Sequence, residues 1–314
     1  MSSETPLRVA AIGVGHLGRH HARILSTLPG ATLVGVADIK PDRAAEIAAA
    51  HGSRAFADYR DLLGEVDAVS IAVPTHAHLE VASAFLDRGV PVLVEKPLAR
   101  SVEEADRMIA LAASRGTILA VGHTERFNPA VAAASRLLQD PRFIEVHRLG
   151  TFPERSLDID VVFDLMIHDL DVVLSIVRAP VAAIEAVGVP VLTGRVDIAN
   201  ARLRFENGCI ANITASRISR DRVRKIRFFQ QDAYLSIDYA AQEVEAYRLV
   251  RGAGPRPVIE GGKLDVPREE PLARELADFL AAVRNGRPPL VTGEDGRRAL
   301  DLAARITDRM AAGV

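Results

Sequence analysis

The sequence of 314 residues contains a single cysteine, Cys209, and no tryptophan. One cysteine excludes an intramolecular disulfide framework and any zinc site built from several thiolates. No apolar run reaches the roughly 18 residues of a membrane-spanning helix. The N-terminal residues also lack the basic segment and long apolar stretch of a signal peptide. We therefore expect a cytoplasmic protein that does not enter a membrane.

An excess of charge of one sign is also absent. The net charge is −2, from 39 basic and 41 acidic residues, so no field favours nucleic acid or an anionic membrane. The composition, 48% hydrophobic and 25% charged, is that of a globular protein with a sizeable core. At this length we expect two domains, or one large one.

The two parts of the chain differ in pattern. In the first third, short apolar segments alternate with alanine-rich helical patterns, which predicts a doubly wound parallel sheet covered by helices on both faces. Later segments are longer and alternate between polar and apolar residues, which predicts a large, open, mostly antiparallel sheet. We thus predict an α/β domain over residues 1–122 and an α+β domain over residues 123–314.

A glycine-rich motif follows the first predicted strand and opens the first predicted helix: Gly13-Val14-Gly15-His16-Leu17-Gly18. In this setting a G-x-G-x-x-G sequence is typical of dinucleotide binding by a Rossmann fold. The glycines permit a tight turn, close approach of a pyrophosphate and close packing of the helix. We predict that this stretch, including His16 and Leu17, binds the cofactor; the alternative is a glycine turn without a ligand.

Asp38 ends the second predicted strand, where an acidic residue can bind the ribose 2′-hydroxyl of NAD. A carboxylate there would repel the 2′-phosphate of NADP, so NAD is favoured. Lys40 and Arg43 could offset that repulsion. The alternative for Asp38 is a helix-capping residue.

Two further segments lie at the carboxyl ends of predicted parallel strands, where such sheets bind ligands. One contains Thr75, His76 and His78, and the other is Glu95-Lys96-Pro97. A lysine in this place can donate a hydrogen bond to a substrate hydroxyl or alkoxide; the alternative is a solvated surface lysine. We include Thr75, His78, Glu95 and Lys96 among the cofactor-binding candidates, although His76 and His78 could simply cap the following helix.

The apolar segment over residues 161–177 is interrupted by four ionisable residues, Asp164, His168, Asp169 and Asp171. Buried ionisable groups are costly unless they are paired or used. In a helix, Asp164, His168 and Asp171 share one face, and Asp169 points elsewhere. A carboxylate one turn before a histidine suits proton transfer, but a metal site or a structural polar cluster fits the same pattern.

The ordered set of the glycine motif, Glu95-Lys96-Pro97 and Asp164-x-x-x-His168 resembles the glucose–fructose oxidoreductase/inositol dehydrogenase/MocA family. The resemblance extends to the GEDGRRALDLA stretch from Gly293. It implies a Rossmann domain, a second domain with an open sheet for substrate binding and oligomerisation, and hydride transfer between NAD(P) and a sugar or cyclitol hydroxyl carbon. It also implies catalytic roles for Lys96, Asp164 and His168 without a metal, and a homodimer or homotetramer.

Two stretches, VGHTERFNPAV from Val121 and DLMIHDLD from Asp164, look most like the branch of this family that holds UDP-N-acetylglucosamine 3-dehydrogenases. Arg126, Asn128 and Arg155 are candidate substrate ligands beside His168, since arginine forks suit a diphosphate. Each arginine could instead be solvated or ion-paired. The rival functions are another sugar or cyclitol dehydrogenase, a non-catalytic NAD-binding regulator and a metal-dependent enzyme.

Overall fold

The computed structural model describes residues 5–152, 159–251 and 257–312. The chain divides into two compact units. The first unit comprises Met1–Thr124 and Leu272–Arg297, and the second comprises Glu125–Pro271 and Arg298–Val314. This division differs from the predicted boundary at residue 122 because a C-terminal segment returns to the first unit.

The first unit contains a six-stranded sheet in which every neighbouring pair of strands is parallel. Its strands are β1 (Leu7–Ile12), β2 (Ala31–Ala37), β3 (Arg54–Phe56), β4 (Ala68–Ile71), β5 (Val92–Glu95) and β6 (Leu119–Gly122). They are connected by helices, among them α1 (Gly18–Leu25), α2 (Pro41–Ala50), α3 (His78–Leu86) and α4 (Val102–Arg115). The strand order β3-β2-β1-β4-β5-β6 is that of a dinucleotide-binding Rossmann fold, whose ligand crevice lies where the order reverses, at β1 and β4.

Local sequence signals account for these helix boundaries. Pro41 begins α2, where its fixed φ and missing N–H are tolerated. The hydroxyl of Ser101 accepts a hydrogen bond from the Glu104 amide at 3.3 Å and caps α4. Gly116 ends α4 in the left-handed conformation, with φ 60°.

The second unit contains an eight-stranded sheet in the order β14-β13-β12-β11-β7-β10-β9-β8. Its strands are β7 (Phe143–Leu149), β8 (Val181–Val189), β9 (Ile198–Phe205), β10 (Ile210–Ser216), β11 (Val223–Phe229), β12 (Ala233–Asp238), β13 (Glu243–Val250) and β14 (Val258–Lys263). Only the β7–β10 pair is parallel. One face of this sheet packs in the core of the unit with helices α5 (Pro129–Ser135) and α6 (Ile167–Val177). The predicted fold class is therefore confirmed.

Two C-terminal helices complete the units. Helix α7 (Pro271–Asn285) buries Leu276, Phe279 and Leu280 in the core of the first unit. Helix α8 (Gly293–Ala312) contributes Ala303 and Ile306 to the core of the second unit. Within the described residues, no helix is both long and apolar enough to cross a membrane.

Candidate active site

The three glycines of the turn between β1 and α1 are required for different reasons. Gly13 has φ +80°, and a Cβ at Gly18 would lie 1.7 Å from the Gly13 carbonyl oxygen, so the protein itself requires both. A Cβ at Gly15 would meet nothing closer than Arg43 at 3.8 Å. Close approach of a ligand to the backbone explains the second glycine, which fits a pyrophosphate at the start of α1. His16 and Leu17 are exposed in this turn.

The carboxylate of Asp38 joins the glycine turn to the start of α2. It accepts hydrogen bonds from the amides of Val14 (3.0 Å) and Lys40 (2.9 Å), and from Arg43 Nε (2.9 Å) and Nη2 (2.7 Å). Burial opposes ionisation here, but the hydrogen bonds from Arg43 and the two amides hold the pKa of Asp38 below its ordinary value. A negatively charged Asp38 with Arg43 beside it therefore stands at the end of β2.

At the end of β4, Thr75 lies half-buried in a 3₁₀ turn (Thr75–Ala77), and His78 is only 1% exposed. The Nε2 of His78 lies 2.9 Å from the Val73 carbonyl oxygen, and Nδ1 lies 3.1 Å from that of Pro97. Burial lowers the pKa of His78. Ala77, not His78, is the N-cap residue of α3. The His78 side chain connects the loops that follow β4 and β5.

At the end of β5, Glu95 is buried and Lys96 is half-buried. Glu95 Oε1 lies 3.0 Å from His21 Nε2, and Oε2 accepts a hydrogen bond from the Lys96 amide at 3.1 Å. The Lys96–Pro97 peptide bond is cis. Because Lys96 directly follows the last residue of β5, it lies at the carboxyl edge of the parallel sheet, where the sequence predicted it.

In the second unit, the segment with Asp164 and His168 is helical but begins with a π-helical turn (Val162–Met166). The Ile167 amide bonds to the Val162 carbonyl, an i to i−5 hydrogen bond. The sequence predicted a uniform α-helix; the difference is one wider turn, a feature that recurs at functional sites. Asp164 lies in this turn, and His168 lies in the first turn of α6.

Burial separates the four ionisable residues of this segment. Asp164 and His168 are half-buried, whereas Asp169 and Asp171 are 0% and 2% exposed. Asp171 forms an ion pair with Arg126 Nη1 at 3.3 Å. The two residues predicted to be catalytic are thus the two that keep contact with solvent.

Asp169 belongs to a buried ion-pair network. Arg148 on β7 contacts its carboxylate through Nε at 2.6 Å and Nη2 at 3.0 Å. The other terminal nitrogen of Arg148 lies 3.0 Å from Glu125, and its guanidinium lies 5.1 Å from the centre of the Tyr239 ring. Although burial acts in the opposite direction, Asp169 and Glu125 raise the pKa of Arg148. The network fixes α6 directly beside His168.

Comparison with known proteins identifies the family. Residues 7–123 match the N-terminal domain of an oxidoreductase family, GFO/IDH/MocA, with an NAD-binding Rossmann fold, and residues 135–235 match the C-terminal domain of the same family. The chain belongs to the GFO/IDH/MocA oxidoreductase family. It is therefore an NAD-binding oxidoreductase, and the predicted family, enzyme class and cofactor are confirmed.

Several members of this family are similar over nearly their whole length. A UDP-N-acetylglucosamine 3-dehydrogenase of Acidithiobacillus ferrooxidans is 42% identical over 304 residues, 96% of each chain. A solved structure of the enzyme with that name, from the same organism, has a TM-score of 0.92 and 40% identity, and covers 98% of this chain and 99% of the other. The scyllo-inositol 2-dehydrogenase (NAD(+)) of Bacillus subtilis is 27% identical over 97% of this chain and 94% of its own.

The candidate substrate ligands have different surroundings in this member of the GFO/IDH/MocA family. Arg126 pairs with Asp171, and its side chain is 13% exposed. Asn128 is buried; its oxygen accepts from the Ala130 amide at the start of α5, and its nitrogen donates to the Tyr239 carbonyl at 3.0 Å. The structure thus gives Asn128 an internal, helix-capping role. Arg155 lies outside the described residues.

Sequence reasoning missed His21, Ser70 and Arg148. His21 falls on the buried face of α1, and the helical period of the HHARIL stretch could have drawn attention to it. Arg148 lies on the same, buried face of β7 as Ile144 and Val146. A charged residue on the apolar face of a predicted strand is the signal that would have found it. Within the described ranges, no three His, Cys, Asp or Glu side chains are grouped as metal ligands.

Proposed function

We propose that the protein oxidises the 3-hydroxyl of UDP-N-acetylglucosamine to a 3-keto sugar with NAD⁺. The observation that carries this proposal is the 42% identity, over 96% of both chains, to a UDP-N-acetylglucosamine 3-dehydrogenase. Lys96, Asp164 and His168 support a catalytic rather than a regulatory protein, since a sensor that only binds NAD needs no base.

The chemistry divides into roles for three residues. NAD⁺, when bound, supplies the acceptor for the hydride that leaves the oxidised carbon. His168 accepts the proton of the hydroxyl on that carbon, and Asp164 orients the imidazole and raises its basicity. Lys96 donates a hydrogen bond to the oxygen as alkoxide character develops. Each of these side chains is half-buried, which leaves it accessible to a substrate.

Arg126 is the described candidate for the diphosphate of the substrate. Its guanidinium contacts Asp171 at 3.3 Å through one nitrogen, and a guanidinium has five N–H donors. Its planar fork of donors has the geometry that suits the oxygens of a diphosphate. Arg155 is retained as a second candidate from the sequence.

A substrate panel tests the proposal. The enzyme with NAD⁺ is given UDP-N-acetylglucosamine, UDP-glucose, free N-acetylglucosamine, myo-inositol and scyllo-inositol, and NADH is followed by absorbance. We expect turnover with UDP-N-acetylglucosamine and a product with a ketone at carbon 3. Turnover confined to the inositols would contradict the proposal and favour the function named for the Bacillus subtilis relative.

We also propose that the enzyme is a cytoplasmic homodimer or homotetramer assembled through the second face of the eight-stranded sheet. An aromatic row crosses this sheet, with ring centres 5.6 Å apart for Phe143 and Phe229, 5.2 Å for Phe229 and Tyr234, and 6.3 Å for Tyr234 and Tyr247. Aromatic residues are enriched in subunit interfaces. A monomeric mass for the wild-type enzyme by sedimentation would overturn this proposal.

A further inference from the structure

A buried chain of polar groups leads to Lys96 inside the first unit. Ser70 Oγ lies 2.7 Å from His21 Nδ1, and His21 Nε2 lies 3.0 Å from Glu95 Oε1. The second oxygen of Glu95 accepts the Lys96 amide hydrogen at 3.1 Å. Ser70, His21 and Glu95 are 2%, 1% and 7% exposed, so each contact forms away from bulk water.

The ring of His21 joins Ser70 to Glu95. Nε2 faces a carboxylate, which accepts hydrogen bonds, so Nε2–H is the donor of that contact, while Nδ1 contacts the Ser70 hydroxyl. Burial opposes the charge on Glu95, yet the hydrogen bond from His21 and the nearby charge of Lys96 lower the pKa of Glu95. An ionised carboxylate is thus fixed at both oxygens, next to the lysine.

The space around Glu95 also restricts it. Gly122 on β6 leaves room for this side chain, since a Cβ at position 122 would come within 3.1 Å of Glu95 Cδ. The Glu95 side chain therefore has both β6 and His21 as close neighbours. Without the hydrogen bond from His21, Oε1 would be left as a buried charge without its donor, and the side chain would have to move.

We infer that His21 is a positioning residue for Lys96, acting through the Glu95 carboxylate that it holds in place. The inference rests on the proposed function, in which Lys96 donates to the substrate oxygen. A shift of about 1 Å in a positioned group can cost roughly 10² in rate. His21 would therefore affect turnover from inside the core without contacting substrate.

Two substitutions separate this role from simple packing. His21→Gln keeps an N–H donor for Glu95, whereas His21→Leu fills similar space without one. We expect His21→Leu to lose roughly 10- to 100-fold in kcat, with KM for NAD⁺ changed little, and His21→Gln to recover most of the loss. Urea unfolding curves check that both variants are folded. Equal kcat values for the two folded variants would overturn the inference.

A second measurement needs no substrate. The chain has four lysines, Lys40, Lys96, Lys225 and Lys263, so labelling by an amine reagent can be followed at each by peptide mass spectrometry. In Glu95→Gln, Lys96 should react up to about fivefold faster, because the lost carboxylate charge no longer favours the protonated, unreactive amine. Fivefold is the factor that corresponds to the Coulomb interaction of two unit charges about 4 Å apart in water. His21→Leu should lie between that variant and wild type, and His21→Gln near wild type, with the other three lysines as internal standards.

The two measurements distinguish the possible failures. If Lys96→Ala keeps normal turnover, the proposed function of Lys96 is wrong, while the labelling rates still report whether His21 controls its surroundings. If the rate at Lys96 is the same in wild type, His21→Leu and Glu95→Gln, the positioning inference is wrong. Should His21→Leu fail to fold, His21→Ala takes its place in the same comparison.

Discussion

The segments around Lys96 and His168 are both held by buried neighbours, but by different kinds of contact. Beside Lys96, the Glu95 carboxylate meets an imidazole, His21. Beside His168, the Asp169 carboxylate is held by two nitrogens of the Arg148 guanidinium. The first segment is fixed by a chain of hydrogen bonds, and the second by desolvated opposite charges.

This difference has an energetic consequence. A hydrogen bond to a charged group contributes about 1.5–3 kcal/mol to stability, whereas removing one partner of a buried ion pair costs about 3–5 kcal/mol. The contacts around Lys96 should therefore control its geometry more than the stability of the fold. The contacts around His168 hold α6 itself, so their loss should unfold the second unit more readily.

The largest expected effect is on turnover when the presented groups are removed. His168→Ala and Lys96→Ala should each lower kcat by about 10²–10⁴, the usual contribution of a positioned proton-transfer group, while NADH binding measured by fluorescence is retained. Arg115→Ala, at the end of α4 and in an exposed pair with Asp87, is a control loss of a cation that should keep its turnover. Near-normal turnover of both active-site variants would mean that neither Lys96 nor His168 is catalytic.

The next effect concerns stability and separates the two kinds of anchor. Arg148→Met should lower the free energy of unfolding by about 3–5 kcal/mol, because it leaves Asp169 as a buried charge without its partner. His21→Gln should cost less, and the double variant Arg148→Met/Asp169→Leu should recover part of the loss. Urea unfolding followed by circular dichroism measures all three. Equal costs for Arg148→Met and His21→Gln would mean that the two segments are held alike.

The first unit also contains an arginine–carboxylate pair, Arg43 with Asp38, but the Arg43 side chain is 38% exposed. Arg43→Met leaves the buried Asp38 carboxylate with its hydrogen bonds from the Val14 and Lys40 amides, so it should lower stability less than Arg148→Met does. It should also lower the efficiency with NADP⁺ relative to NAD⁺ by roughly tenfold, the value of one charge-assisted hydrogen bond to a 2′-phosphate. Arg54→Met removes an exposed pair with Glu65 and is the control. An unchanged ratio of the efficiencies with NADP⁺ and NAD⁺ in Arg43→Met would contradict a role of Arg43 in binding the 2′-phosphate.

The sequence predicts the first segment better than the second for a physical reason. Lys96 follows an apolar strand and precedes a proline, so its place at the sheet edge follows from local order. The π turn around Asp164 cannot be recognised in the hydrophobic pattern, because a single wider turn hardly changes the spacing of the apolar residues along the helix. The partner of Asp169 could not be predicted either, since Arg148 is 21 residues away and its strand register depends on the folded sheet.

The smallest expected effect is on the pH dependence of stability between pH 5 and 6.5, and it concerns the Lys96 segment. His78 connects the loops after β4 and β5, and burial lowers its pKa, although the three carbonyls that it faces and the charge of Glu95 act in the opposite direction. Below the unfolded value of about 6.5, the unfolded chain therefore binds a proton that the folded protein does not. Stability is fully present above that pH and declines as the pH falls towards the lower folded value, by at most about 1.4 kcal/mol per pH unit. Arginines do not titrate in this range, so the Arg148 network contributes no such slope through its guanidinium.

His78→Gln should flatten the curve of unfolding free energy between pH 6.5 and 5 in urea titrations, with His76→Gln as the matched loss of an exposed imidazole. An identical slope in wild type and His78→Gln would mean that the imidazole is protonated in the fold, and that the Lys96 turn, like α6, is held by charge.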